Sequence, residues 1–123
     1  MRHDLFVNPN QNIGKYGEDR AAQFFERIGY QIIDRNWRGT AGEIDIIAQD
    51  RECLVFAEVK TRTRRGYGHP FEAITTKKVQ TMRRLVAQWC QGQQLAPTKV
   101  RLDAVSVLIL GGKVHIEHLK QVF

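Results

Sequence analysis

Cysteine is scarce in this chain, and so is proline. The two cysteines, Cys53 and Cys90, stand far apart. That spacing excludes a redox or metal-binding pair and leaves two reduced thiols in or near the core. Three prolines and no Ser-, Pro- or Gly-rich tract argue against a disordered chain or a linker between domains. No apolar run approaches the roughly 20 residues that cross a bilayer. The opening MRHDLFVNPN lacks the apolar centre of a signal peptide. Together these absences predict a cytoplasmic protein with no membrane association, and no internal repeat breaks it into modules.

What is present suits one globular domain. The chain has 123 residues, 42% hydrophobic and 26% charged, enough for one core and too few for two. We read residues 1–123 as a single domain with 1–12 as a polar lead-in. The net charge of +6 is concentrated. Lys60, Arg62, Arg64, Arg65, Lys77, Lys78, Arg83 and Arg84 crowd one segment that holds one acid, Glu72. A basic segment of this density suits a polyanion, with nucleic acid first and an acidic membrane surface second; the competing view is a solvated face without a partner.

Periodicity predicts a helix from about Ile13 to Ile28, closed by Gly29, with Ala21, Phe25 and Ile28 on its buried stripe. Glu18 falls on the packed edge of that helix, among small residues. Tyr30 to Trp37 follows as a strand, Arg38 to Gly42 as a turn, and GEIDIIA as a second strand. In that strand strict alternation sends Ile44, Ile46 and Ala48 one way and Glu43, Asp45 and Ile47 the other. Gln49 to Glu52 reads as a hairpin turn and Cys53 to Thr61 as a third strand. There Leu54, Phe56, Glu58 and Lys60 share a face opposite Val55, Ala57 and Val59. Arg62 to Pro70 is a basic, glycine-containing loop. Val79, Met82, Val86 and Trp89 then repeat at helical spacing, and Gly92 and Pro97 end that helix. Val100 to Leu110, the Gly111-Gly112 turn and Lys113 to Leu119 form a final hairpin. The predicted order is α-β-β-β-α-β-β, an α/β fold.

Glu43, Asp45, Glu58 and Lys60 interrupt two runs that otherwise look like central strands. Charges at a sheet edge account for any one of them. They account less well for the set, because an uncompensated buried carboxylate costs several kcal/mol. A divalent cation resolves the conflict, and hard oxygen ligands select Mg²⁺ or Mn²⁺ over zinc, for which the chain has no Cys/His cluster. If the second and third strands are neighbours, Asp45 and Glu58 can converge on one ion, with Glu18 approaching from the helix. Such an ion supplies hydroxide near neutral pH and absorbs charge on a phosphoryl group. Lys60, two residues beyond Glu58, is placed to orient the water or neutralise developing charge. Glu43 remains either an additional metal or supporting acid or a turn-edge acid.

A helix acid (Glu18), an aspartate in a second strand (Asp45) and Glu58-Val59-Lys60 in a third resemble the pattern of the PD-(D/E)XK nuclease superfamily. A closer resemblance is to the YraN family of uncharacterised bacterial proteins. Its G-x-x-G-E, N-W-R, G-E-I-D and E-V-K-x-R are met by Gly14 to Glu18, Asn36 to Arg38, Gly42 to Asp45 and Glu58 to Arg62. The resemblance implies a restriction-endonuclease-like three-layer α-β-α core around a central mixed sheet. It further implies an Mg²⁺- or Mn²⁺-dependent endonuclease with Asp45, Glu58 and Glu18 at the metal and Lys60 in the chemistry. Archaeal Holliday junction resolvases are similar at the same places, which implies branched DNA as a substrate and a homodimer as a state. One departure is Ile44, where the superfamily's name has proline. The fold also hosts proteins that bind without cutting, so a non-cleaving nucleic-acid-binding module stays open, as does an adaptor for an acidic partner. Arg62, Arg64, Arg65, Lys77, Lys78 and Arg84 are the expected phosphate contacts.

Several residues carry less. His115 and His118 sit at an odd spacing that sends them to opposite strand faces, so they read as structural or surface groups. His69, in the basic loop, reads as exposed. Gly14-Lys15-Tyr16-Gly17 lacks the strand and full glycine pattern of a phosphate loop, and helix packing explains its glycines better. Asp103 is expected to pair with a nearby arginine, and Trp37 and Trp89 to lie in the core.

Overall fold

Strand periodicity and two amphipathic helices fold into three layers. The structure is a computed structural model that describes residues 9–64, 75–97 and 99–121. Helix α1 (Pro9–Arg27) is followed by strands β1 (Gln31–Arg38), β2 (Glu43–Asp50) and β3 (Cys53–Arg62), helix α2 (Thr76–Gly92), and strands β4 (Val100–Leu110) and β5 (Lys113–Leu119). The order matches the sequence expectation. The sheet is mixed and ordered β1-β2-β3-β4-β5. Among the described residues its only parallel pair is β3 with β4, which need a long crossover between them, and α2 lies in it. Helix α1 starts inside the segment read as a lead-in. Proline is well placed in a first turn, where its missing N–H would have had no partner.

Each face of the sheet buries its own core. Ala21, Phe25 and Tyr30 pack with Ile46, Ala48, Val55, Ala57, Val105 and Val107 beneath α1. Beneath α2, Met82, Leu85 and Trp89 pack with Ile44, Ile47, Leu54, Phe56 and Leu102. Phe25 stacks on Tyr30 at 5.1 Å between ring centres, and Phe56 meets Trp89 edge-on at 5.6 Å. Each such ring contributes about 1.5–3 kcal/mol through burial alone. Trp37 is part-buried against the α2-side core, and Cys53 and Cys90 are free thiols, Cys90 buried.

The turns follow backbone chemistry. Gly111 and Gly112 both have positive φ, 55° and 78°, as the tight β4–β5 hairpin needs. The β2–β3 turn is shorter than expected, because pairing persists to Asp50↔Cys53 and only Arg51 and Glu52 remain outside it. Thr75 caps α2, its Oγ1 accepting from Lys78 N at 3.1 Å.

At the far end of β4, Asp103 is fully buried and pairs with an arginine, as expected. Arg101 donates to it through Nε at 2.9 Å and Nη2 at 3.0 Å; His118 Nε2 lies 2.7 Å away, and Gln121 N donates at 3.0 Å. Arg101 also reaches Asp50 at 3.1 Å and the Tyr30 hydroxyl at 2.6 Å. This network ties β5 and the segment after it to β4 and β2. His115 is exposed and His118 part-buried, in keeping with opposite faces.

Candidate active site

The site lies where β2 and β3 part. Their ladder runs from Asp50↔Cys53 to Ile46↔Ala57 and stops there. Beyond it, Val59 N donates to Asp45 Oδ2 at 2.7 Å, so a side-chain oxygen stands where a backbone acceptor of β2 would otherwise serve. Strict alternation fails in β2 at this point. Ile44 and Ile47 belong to the α2-side core, whereas Ile46 and Ala48 belong to the α1-side core. The expectation that Ile44, Ile46 and Ala48 share a face is therefore corrected. The break lies opposite a second irregularity, in β1: Asn36, between the paired Arg35↔Ile46 and Trp37↔Ile44, has φ 53°. Asparagine is among the few residues that tolerate that left-handed conformation.

Helix α1 closes over the same end of the sheet because Gly17 lets it. A Cβ at Gly17 would stand 2.0 Å from Thr61 Oγ1 and 2.8 Å from Thr61 Cβ, so only glycine permits this approach. Gly14 differs, since nothing lies within 4 Å of a Cβ there; packing accounts for one of the two glycines. The result is a cleft of about 540 Å³ between α1 and the sheet, lined by Gly14, Glu18, Asn36, Asp45, Val59 and Thr61 among others.

Glu18 is buried and directed into this cleft rather than into solvent. Arg35 Nη2 donates to Glu18 Oε1 at 2.8 Å and to Asp19 Oδ1 at 2.7 Å. Asn36 Nδ2 donates to Glu18 Oε2 at 2.6 Å and to Glu43 Oε2 at 3.2 Å. Glu43 also meets Arg38 at 3.5 Å. Arg35 and Asn36 thus bind and orient the acids, a role that sequence reasoning did not assign to them. Asn36 was singled out only as part of the N-W-R motif, and Arg35 carried no signal beyond a charge inside a strand.

Glu58 leaves β3 on the other face, toward α2, where Lys78 Nζ lies 2.9 Å from its Oε1. Asp45 and Glu58 are therefore on adjacent strands, as expected, but Asp45 lines the cleft beneath α1 while Glu58 turns toward Lys78 of α2, so the expectation that their carboxylates converge from one surface is corrected. They remain electrostatically close. The Asp45 carboxyl is pushed up from 3.8 to about 6, chiefly by burial, against the lowering effect of the Val59 hydrogen bond, and then by the charges of Glu58, Glu18 and Glu43 in that order. Among the described residues, no three His, Cys, Asp or Glu side chains are already gathered as a ligand cluster. The donor chemistry still fits Mg²⁺ or Mn²⁺, which take one or two carboxylates with water and substrate oxygens completing the shell. A part-buried carboxylate repelled by three others is the kind of group that such a charge stabilises.

Of the expected phosphate contacts, Lys77 and Arg84 are exposed on α2, and Arg64 is exposed just past β3, where Arg62 is part-buried. Lys78 is engaged with Glu58. Lys60 is exposed on β3. Arg65 and His69 lie outside the described residues. No helix among the described residues is long and apolar enough to cross a membrane.

Residues 17–107 match the uncharacterised protein family UPF0102. The chain is 49% identical over 109 residues to a UPF0102 protein of Renibacterium salmoninarum, covering 88% of this chain and 92% of that one. It is 47% identical over 111 residues to a UPF0102 protein of an Arthrobacter strain, covering 89% and 94%. A UPF0102 protein of Leifsonia xyli is 50% identical over 96 residues, covering 78% and 81%.

Proposed function

This chain belongs to the uncharacterised protein family UPF0102, and we propose that it is an Mg²⁺- or Mn²⁺-dependent endonuclease that hydrolyses phosphodiester bonds in nucleic acid. The observation that carries this is Asp45: a carboxyl raised to about 6 by burial and by three neighbouring acids, lining a cleft between α1 and the sheet in a chain with a strongly basic segment. Perturbed acids in clefts cluster at functional sites. Asp45 and Glu58 would hold the ion, with Glu18 adjoining. The ion supplies positive charge at the phosphoryl group and makes hydroxide available near neutral pH.

The chain's own residues do the rest. The Val59 N–H fixes Asp45 in place, and Arg35 and Asn36 hold Glu18 toward the cleft. Lys60, exposed two residues beyond Glu58, orients the attacking water or offsets charge on the phosphoryl oxygens. Lys77 and Arg84 extend a cationic surface for the backbone of the nucleic acid. A second reading, binding without cleavage, draws on the engagement of Glu18 by Arg35 and Asn36 and of Glu58 by Lys78.

Cleavage assays on single-stranded, duplex and four-way-junction DNA and on RNA, each with Mg²⁺, Mn²⁺ or EDTA, separate the two. Hydrolysis that needs metal and is lost in Asp45→Asn, Glu58→Gln and Lys60→Ala supports the enzyme. Salt-dependent binding with no cleavage of any substrate leaves the binding module. Sedimentation of the same preparation tests for a homodimer.

A further inference from the structure

Glu58 is the candidate ligand whose partner can change. Glu18 is gripped through both oxygens by Arg35 and Asn36, and Arg35 is itself shared with Asp19. Asp45 is pinned to the backbone of β3. Glu58 instead meets a lysine ammonium at 2.9 Å, and that lysine side chain is 39% exposed against 20% for the glutamate. A lysine head group on a flexible four-carbon stem is a point charge that can be handed to another anion. Its backbone stays put, because Lys78 N is held by the Thr75 cap at the start of α2.

We propose that Lys78 is a latch on the metal site, a positioning residue whose ammonium and a divalent cation are alternative partners of the Glu58 carboxylate. When the cation takes Glu58, Lys78 is released toward a phosphate oxygen of the nucleic acid. The latch rests on the metal-dependent reading above. It has two physical grounds. An ammonium within 3 Å of a carboxylate oxygen occupies a direction in which a metal would bind, and two cations on one carboxylate repel each other. Lys78 also lies in the basic segment, so the phosphate that would draw it away is the polyanion for which the rest of that segment is suited.

The test measures Mn²⁺ affinity of the EDTA-stripped full chain by calorimetry or electron paramagnetic resonance, without nucleic acid. An ion pair of this exposure is worth up to about fivefold in an equilibrium constant, so Lys78→Met is expected to bind Mn²⁺ about three- to fivefold more tightly than the parent. Arg83→Met removes the same charge from the same helix and is expected to shift affinity less than about twofold, because long-range charge is screened. Nucleic-acid binding supplies the second readout: Lys78→Met weakens it in saturating Mn²⁺ but leaves it unchanged in EDTA. A parent that binds Mn²⁺ while Lys78→Met binds no tighter overturns the latch and spares the metal site. So does an Arg83→Met effect equal to that of Lys78→Met, or an equal loss of nucleic-acid affinity with and without metal. A parent with no Mn²⁺ binding at millimolar concentration overturns the metal-dependent reading itself, and the latch with it.

Discussion

Replacing Asp45 with asparagine should make the protein more stable, and only at the right pH. In the native fold the carboxyl titrates at about 6 against an ordinary 3.8. Below 3.8 it is protonated both folded and unfolded, and it resembles asparagine. Above 6 it is ionised in both states, and the folded state bears the cost of holding a buried anion beside Glu58, Glu18 and Glu43. The gap from 3.8 to about 6, at about 1.4 kcal/mol per pH unit, corresponds to about 3 kcal/mol. The value of about 6 already contains the stronger hydrogen bond from Val59 N–H to the ionised carboxylate, and asparagine keeps an oxygen for that N–H as the neutral carboxyl does, so the net gain stays at about 3 kcal/mol. At about 2.1 cal/mol/K of unfolding entropy per residue, that raises the melting temperature by about 12 °C.

The assay is thermal melting of parent and Asp45→Asn in EDTA from pH 4 to pH 8. The advantage of the variant should be near zero at pH 4, grow through pH 6 and level off above it. Mg²⁺ at ten times its dissociation constant should return about 1.4 kcal/mol to the parent and nothing to the variant. An advantage that is the same at pH 4 and pH 8, or absent at pH 8, would falsify the claim that repulsion and burial set the state of Asp45.

Two further substitutions probe the scaffold. Gly17→Ala places a methyl group against Thr61 and should cost about 1–3 kcal/mol of stability by overpacking. Thr61→Ala should restore only part of that loss in denaturant titration, because the Thr61 Cβ is itself 2.8 Å from the added atom. Asp103→Asn leaves the Arg101 guanidinium with only the part-buried Asp50 as counter-charge and should cost up to about 3 kcal/mol, the lower end of the range for breaking a buried pair. Burial alone would raise the Asp103 carboxyl, but the hydrogen bonds from His118, Arg101 and Gln121 hold it below 3.8. Its contribution is thus present above about pH 4 and lost as pH falls through that depressed value, so parent and Asp103→Asn should converge in stability toward strongly acidic pH.

Local pattern was enough for the element order and for much of the packing. Leu54 and Phe56 alternate with Val55 and Ala57 across β3 and fall in opposite cores as expected, because side-chain direction in a regular strand depends only on neighbours in sequence. Glu18 was legible for a similar reason: helical periodicity set it on the packed edge of α1. Two paired glycines sufficed to place the last hairpin. The failures share a different cause. The break in β2 alternation at Asp45 lies opposite Asn36 of the adjacent strand, whose φ is 53°, and no period within β2 contains that information. Gly14 and Gly17 look equivalent in sequence, yet only Gly17 lies against Thr61, a contact made by docking a helix on a distant strand. Lys78 read as one cation among many until the crossover through α2 brought its ammonium to Glu58. Which charges meet, and which carboxylate is left to bear the repulsion of the others, is decided by strand pairing and helix docking, because electrostatic energy depends on distances in space that sequence spacing does not set.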